Sequence, residues 1–375
     1  MNLAMRIGFD GKRTTQNLTG LGNYSRYVIR LLAKFQPQNH YIVYALKTPV
    51  PELRIPEIEY QYAKDQTFKF YWRSFGIVST MVKQKINLFH GLSNEIPFGL
   101  RKARIPSVVT IHDLIFIRYP EYYSLIDRFI YKVKFRYAAL NADKVIAISQ
   151  QTKQDLVQYF GINENRIEVI YQNCDPIFHQ ILSQSVRNTV IEKYALPHKY
   201  ILSVGTIEER KNLLLIAKSL TIVDHIHLVV VGKETKYSKL VKVFISANKL
   251  VNRVHFIQHV AHDDLPAIYQ QAEMFIYPSR FEGFGIPIVE ALHSGIPVIA
   301  AKGSCLEEAG GPNSVYVDPD DELNLANQIK SILDNTEKRT NMIDSGRRYL
   351  EKFESKKIAH QILELYQNTI DNAKR

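Results

Sequence analysis

The sequence predicts an α/β chain of two doubly wound, Rossmann-like domains, and three observations carry that prediction. Short β-branched or aromatic runs alternate with helical-period segments along the chain, as in layers built on parallel sheets. The alternation is interrupted once, between Gln172 and His198, where Asn-Cys-Asp-Pro, scattered polar residues and Leu-Pro read as a connection between domains. The length, 375 residues, fits two domains on a prior of about 150 residues each.

In the first half the strands are expected at 6–10, 41–46, 58–62, 87–90, 107–112, 144–148 and 166–171, with helices at 22–35, 70–85, 125–142 and 150–160. A second series places strands at 200–204, 226–231, 254–258, 274–277, 297–300 and 314–317, each followed by a helix, and residues 322–373 read as helices only. The domains are therefore expected at 1–175, with 356–375 returning to the first, and at 176–355. Ligands of such sheets bind at the carboxyl ends of strands, so the chemistry is sought in the loops that follow them.

Hydrophobic residues make up 46% and charged residues 23%, which excludes global disorder. No run approaches the roughly 18 apolar residues of a membrane crossing. Residues 1–10 lack the regions of a signal peptide, and the two cysteines, Cys174 and Cys305, belong to no CxxC or Cys/His zinc spacing, so a cytoplasmic protein is expected. The net charge of +11 lies in the first half: residues 1–180 hold 24 Lys and Arg against 14 Asp and Glu, and the rest 24 against 23. Aromatics interleave the basic residues in Phe68-Lys-Phe-Tyr-Trp-Arg73 and Phe129-Ile-Tyr-Lys-Val-Lys-Phe-Arg136. Such a surface suits an anionic partner, or else these are amphipathic helices with solvated cations around a core-facing stripe.

Ser279-Arg-Phe-Glu-Gly-Phe-Gly-Ile-Pro-Ile-Val-Glu290 follows a predicted strand, passes two glycines and enters a helix with Pro287 in its first turn. Exposed N–H groups and the positive end of the helix dipole make such a turn an anion site. One ligand could place a sugar hydroxyl at Glu282, a phosphate at the Gly283, Phe284 and Gly285 amides and a ribose at Glu290; the bland alternative is a surface Glu282 and a structurally paired Glu290. Gly205-Thr-Ile-Glu-Glu-Arg-Lys-Asn212 follows the first strand of the second domain and offers Arg210 and Lys211 to a diphosphate, or merely to solvent.

These two segments resemble those of the family-4 retaining glycosyltransferases of the GT-B fold. Gly20-Leu-Gly-Asn-Tyr24 is similar to their N-terminal glycine loop, Thr110-Ile-His-Asp-Leu114 to their His-Asp segment and Ala147-Ile-Ser-Gln-Gln-Thr152 to the segment that ends their first domain. Tyr277-Pro-Ser and Ser304-Cys-Leu-Glu-Glu-Ala-Gly310 also fit, whereas the family usually has Pro at Glu209 and often Gly at Cys174. The resemblance implies a catalytic set of His112, Arg210, Lys211 and Glu282. It implies a donor site in which Arg210 and Lys211 hold the diphosphate, Glu290 the ribose, Glu282 with the Gly283, Phe284 and Gly285 amides the sugar, and Gly20 and Gly22 approach from the first domain. Asp113 would orient His112 or its loop. The implied reaction moves a hexose, foremost mannose from GDP-mannose, to a glycan or polyprenyl-linked saccharide of a cell-surface polysaccharide, without metal or other cofactor.

Other readings compete. A dehydrogenase would need a third glycine where Ser25 stands. A metal-dependent transferase would use Asp318-Pro-Asp320, which precedes a helical run and reads as capping. His225 and His227 would point one way from an apolar strand but lack a third ligand. A nucleotide-sugar epimerase of the same architecture and a non-enzymatic nucleic-acid-binding protein are the remaining alternatives. The basic first domain further implies a peripheral contact with the anionic inner face of the cell membrane.

Overall fold

A computed structural model describes residues 4–63 and 71–374, and the chain divides into two compact units: residues 1–172 with 353–375, and residues 173–352. In the first unit β1 (Arg6–Asp10), β2 (His40–Ala45), β3 (Glu59–Tyr62), β4 (Leu88–Gly91), β5 (Ser107–Ile111), β6 (Lys144–Ala147) and β7 (Ile167–Val169) form a sheet of order β3-β2-β1-β4-β5-β6-β7. All its pairings are parallel. Parallel strands are covered on both faces and therefore read as continuous apolar runs, as in the fully buried Ser-Val-Val-Thr-Ile of β5.

The covering helices are α1 (Gly20–Phe35), α2 (Ile77–Lys83), α3 (Ile115–Arg118), α4 (Leu125–Asn141) and α5 (Gln150–Phe160). Ser124 and Ser149 cap α4 and α5 by accepting N–H groups of Asp127 and Thr152, and Gly161 ends α5 at φ 65°. The predicted helix at 70–85 begins, with Phe68 to Phe70, outside the described residues; the chain is π-helical over Trp72–Gly76 before α2.

The second unit repeats the plan with β8 (Tyr200–Val204), β9 (His227–Val231), β10 (Val254–Ile257), β11 (Met274–Tyr277), β12 (Val298–Ala301) and β13 (Val315–Val317), parallel throughout, in order β10-β9-β8-β11-β12-β13. Its helices are α6 (Gln184–Lys193), α7 (Leu213–Ser219), α8 (Tyr237–Ala247), α9 (Leu265–Gln271), α10 (Ile286–His293), α11 (Leu306–Gly310), α12 (Glu322–Leu333) and α13 (Thr336–Tyr349). The last helix, α14 (Ser355–Ala373), belongs to the first unit, where Tyr366 is buried and its hydroxyl lies 2.5 Å from His90 Nδ1 on β4.

Three expectations need correcting. The segment read as an irregular connection contains α6, whose start is set by the Ser183 cap; only Val190 of this helix is buried, so it carries almost no apolar period. Gly20 and Gly22 do not form a loop but the first turn of α1, with Gly22 and Asn23 donating to the Thr19 carbonyl. A Cβ at Gly22 would stand 1.9 Å from the Asn17 carbonyl oxygen, so a close backbone approach accounts for that glycine. His225 precedes β9 at φ 60°, so it shares no strand face with His227, whose Nδ1 lies 2.9 Å from His255 Nε2.

Candidate functional site

In the second unit the strand order reverses between β8 and β11, neighbours that pair Met274 with Ile201 and Phe275 with Leu202. Connections leaving two such strands diverge to opposite faces, and a crevice opens beyond their carboxyl ends. Both singled-out segments leave from here. After β8 the chain makes a single turn over Glu209–Lys211 and leaves it through Asn212 in the left-handed region, φ 55°, held by its amide's 2.7 Å bond to the Pro319 carbonyl. After β11 it runs through Ser279 to Gly285, which stands at φ 121° immediately before α10. The Arg280 N–H donates to the Arg210 carbonyl at 2.8 Å and ties the two segments together.

Arg210, Lys211 and Glu282 meet in this tie. Glu282 Oε1 accepts from Lys211 Nζ at 2.5 Å, Ser279 Oγ at 2.7 Å and Tyr277 OH at 3.1 Å, and lies 2.8 Å from Arg210 Nη1. Arg210 also reaches Glu208 at 2.6 Å and the Phe281 carbonyl. Lys211 bonds the Tyr277 hydroxyl and sits over its ring, 4.7 Å from the centroid. Burial alone would raise the Glu282 carboxyl, but Lys211 and Arg210 overcome it and hold it at about 2. Glu282 is thus an acceptor only, and in this state it pairs the two cations that were expected to face an anion.

Of the following residues, Gly283 is half-buried and Phe284 and Gly285 are buried, so the Phe284 side chain is core and only its backbone is available to a ligand. Cys305 supports the turn, its thiol donating to the carbonyls of Glu282 and Phe284 at 3.0 and 3.2 Å, a role that no local motif around the residue marks. One turn into α10, Glu290 Oε2 accepts from Tyr269 OH at 2.8 Å. Burial pushes the Glu290 carboxyl up to about 7, against the pull of Tyr269 and His262. One segment therefore carries two carboxylates, one ionised throughout the neutral range and one that titrates within it.

The other predicted residues lie in the first unit. His112 is buried at the end of β5; its Nε2 donates to the Leu92 carbonyl at 2.9 Å, its backbone N–H to Asn94 Oδ1 at 2.7 Å, and its ring meets Tyr24 edge-on at 4.6 Å. Burial lowers it to about 4, so the ring is neutral and Nδ1 is an acceptor. Asp113 accepts the Ile115 N–H at 3.1 Å and shapes the loop after β5. Asp318-Pro-Asp320 forms a turn in which Asp318 accepts the Asp320 N–H and Asp320 pairs with Arg280; the cap of α12 is the next residue, Asp321, and not this pair.

Fold and site together define a chain of two doubly wound units, the second of which gathers two cations, a glycine turn and a helix start where an anion would enter. The chain belongs to the family-4 glycosyltransferases of the GT-B fold. Residues 187–349 match the family "Glycosyl transferases group 1", and residues 19–176 match "Glycosyltransferase Family 4". Among curated relatives, O-antigen chain mannosyltransferase B of Escherichia coli is 29% identical over 241 residues, 62% of each chain. The N-acetylgalactosamine-N,N'-diacetylbacillosaminyl-diphospho-undecaprenol 4-alpha-N-acetylgalactosaminyltransferase of Campylobacter jejuni is 23% identical over 89% of this chain and 85% of its own. The alignments with the O-antigen chain mannosyltransferases of Escherichia coli and Salmonella typhimurium span about three fifths of those proteins' length. The structure of Anabaena Alr3699/HepE in complex with UDP and glucose has the same fold, with TM-score 0.78, 21% identity and coverage of 97% of this chain and all of that one.

Proposed function

We propose that this chain is a retaining glycosyltransferase that moves a hexose, foremost mannose from GDP-mannose, to a glycan or polyprenyl-linked saccharide in cell-surface polysaccharide synthesis. The observation that carries the proposal is the meeting of Arg210, Lys211 and Glu282 beside the Gly283 to Gly285 turn at the β8/β11 reversal. The relative from Escherichia coli supports mannose, and the one from Campylobacter jejuni, whose name includes a diphospho-undecaprenol, supports a lipid-linked acceptor.

The mechanism follows from charge. Breaking the bond between the sugar and the diphosphate leaves negative charge on the phosphate and an oxocarbenium-like sugar. Arg210, Lys211 and the α10 terminus stabilise the departing anion without a metal, because they are preorganised where that charge develops. Glu282, acceptor-only, takes a hydroxyl of the sugar, and ionised Glu290 accepts from the ribose hydroxyls. In the first unit His112, neutral and with Nδ1 left as an acceptor, is suited to take a hydroxyl hydrogen bond and transfers no proton. The departing phosphate takes the acceptor's proton on the face it leaves, which retains configuration.

The exposed face of α4 supports a membrane partner. Leu125 and Phe129 are 78% and 70% exposed, and Ile126, Ile130 and Val133 extend the same face at helical spacing. Arg128 and Lys132 lie along one margin and Arg136 continues the face toward the helix C-terminus, each worth about 1 kcal/mol near an anionic surface. Among the described residues no helix is long and apolar enough to cross a membrane.

Incubation with GDP-mannose and a polyprenyl-linked acceptor tests the proposal: acceptor-dependent GDP release supports it. Turnover of the nucleotide sugar without acceptor would instead mark an epimerase. Phosphatidylglycerol vesicles should sediment the protein at low salt and release Phe129→Glu; failure to bind at any salt removes the membrane contact.

A further inference from the structure

Outside the donor site, the second unit brings together three side chains that have no part in the proposed transfer. Cys174 is buried just after the start of the unit. Asp175 accepts the Ile177 N–H and caps a short turn over Pro176–His179, whose last residue is exposed. His293 is the final residue of α10. The His179 and His293 rings stack with centroids 3.9 Å apart and planes 17° from parallel, and Cys174 Sγ stands 3.8 Å from His179 Nε2. One ligating atom from each of the three residues lies within 4.8 Å of the others.

We propose that Cys174, His179 and His293 form a binding site for a borderline-soft divalent cation of the zinc type. Zinc bonds of about 2.3 Å to sulfur and about 2.0–2.1 Å to nitrogen, arranged tetrahedrally, put sulfur and nitrogen ligands roughly 3.6 Å apart. The thiol and the His179 imidazole already stand close to that spacing. Closing the rest requires a shift of about an ångström and a turn of the two stacked rings, so that one nitrogen of each faces the cation. One sulfur and two imidazole nitrogens suit zinc better than the oxygen-seeking magnesium or calcium, and three protein ligands leave a fourth position for water.

The protonation states agree with the geometry. Burial lowers both imidazoles, His293 to about 3 with His179 contributing, so each neutral ring keeps one unprotonated nitrogen with which to ligate. Burial, Glu290 and Asp175 push the Cys174 thiol up, so it keeps its proton until a cation replaces it, and binding releases one proton as the metal–sulfur bond forms. Asn173 braces two of the three ligands: its Oδ1 accepts the Cys174 N–H at 2.8 Å and lies 3.1 Å from His293 Nε2. Glu290 precedes His293 by three positions on α10 and its charge acts on Cys174. A cation here would therefore favour the ionised form of Glu290, a consequence that rests on the donor-site proposal, whereas the metal site itself does not.

The test is titration of the chelator-stripped full chain with cobalt chloride and then zinc chloride, with no nucleotide sugar present. One equivalent of cobalt should bind and give a thiolate-to-cobalt charge-transfer band that zinc abolishes. Cys174→Ser should lose the band. His179→Ala, which removes an exposed ring and leaves the core intact, should weaken binding on the order of 100-fold, at least the loss seen when a supporting partner is taken from a metal ligand. His255→Ala, which breaks the separate His227–His255 pair, should bind as the unaltered chain does. Absence of the charge-transfer band, or cobalt uptake unchanged in His179→Ala, would overturn the proposal even where Cys174→Ser does not fold.

Discussion

The two units contain the same strand reversal, between β1 and β4 in the first and between β8 and β11 in the second, and they fill it differently. In the first, Arg73 is consumed by two carboxylates: Nε and Nη2 bond Asp10 at 3.2 and 2.9 Å, and Nη1 bonds Glu95 at 2.9 Å. Lys12 completes the cluster 2.7 Å from Glu95. In the second, Arg210 and Lys211 converge on a single oxygen of Glu282, and a glycine turn leads straight into α10. Glu95 and Glu282 are both held at about 2 by neighbouring cations that outweigh burial, so a displaced pKa does not separate the two places. What separates them is the ratio of cations to carboxylate oxygens and the helix start. A reversal of strand order opens a crevice; the loops decide whether it is closed by its own charges or left to a ligand.

Substitution should divide the two crevices. Arg73→Ala leaves Asp10 and Glu95 buried without their main partner and should cost about 3–5 kcal/mol of stability, read as a lowered denaturation midpoint. A variant as stable as the parent would place the first crevice in the same class as the second. Lys211→Ala should stay folded, because Arg210 still pairs Glu282, yet lower turnover by about 10²–10³, the loss of one electrostatic stabiliser. Unchanged turnover would remove Lys211 from the chemistry.

Glu290→Ala should weaken nucleotide binding by roughly 1–3 kcal/mol if the carboxylate accepts from ribose hydroxyls. Because burial raises Glu290 to about 7, its charged form prevails above that pH and is lost below it. Nucleotide affinity should therefore fall as pH drops through 7, by up to tenfold per unit, and Glu290→Gln should flatten the profile. A flat profile in the parent protein would take the ribose away from Glu290.

Most of this frame was legible in the amino-acid sequence, for a physical reason. Strands buried on both faces are unbroken apolar runs, so β8 and β11 were expected at 200–204 and 274–277 and stand there. The helix α6 was not legible, since a surface helix with one buried residue has no period to detect. In the site, Arg210, Lys211, Glu282 and Glu290 were found by their positions after strands. Their mutual pairing was not, because it depends on which oxygen each cation reaches. The Asp10–Arg73–Glu95 cluster escaped notice because its first pair is 63 positions apart and no local motif marks it. His293 escaped for the same reason, standing 120 positions from Asn173, and without it Cys174 and His179, five positions apart, make no metal spacing.

The reading of the second crevice stands or falls on Arg210 and Lys211 holding a diphosphate there. Calorimetric titration of the parent protein and of Lys211→Ala with GDP and GMP, and with UDP and UMP, addresses it most directly. The parent should bind one diphosphate well ahead of its monophosphate, and Lys211→Ala should lose most of that margin. Equal affinities in the parent, or a margin that survives the substitution, would contradict it.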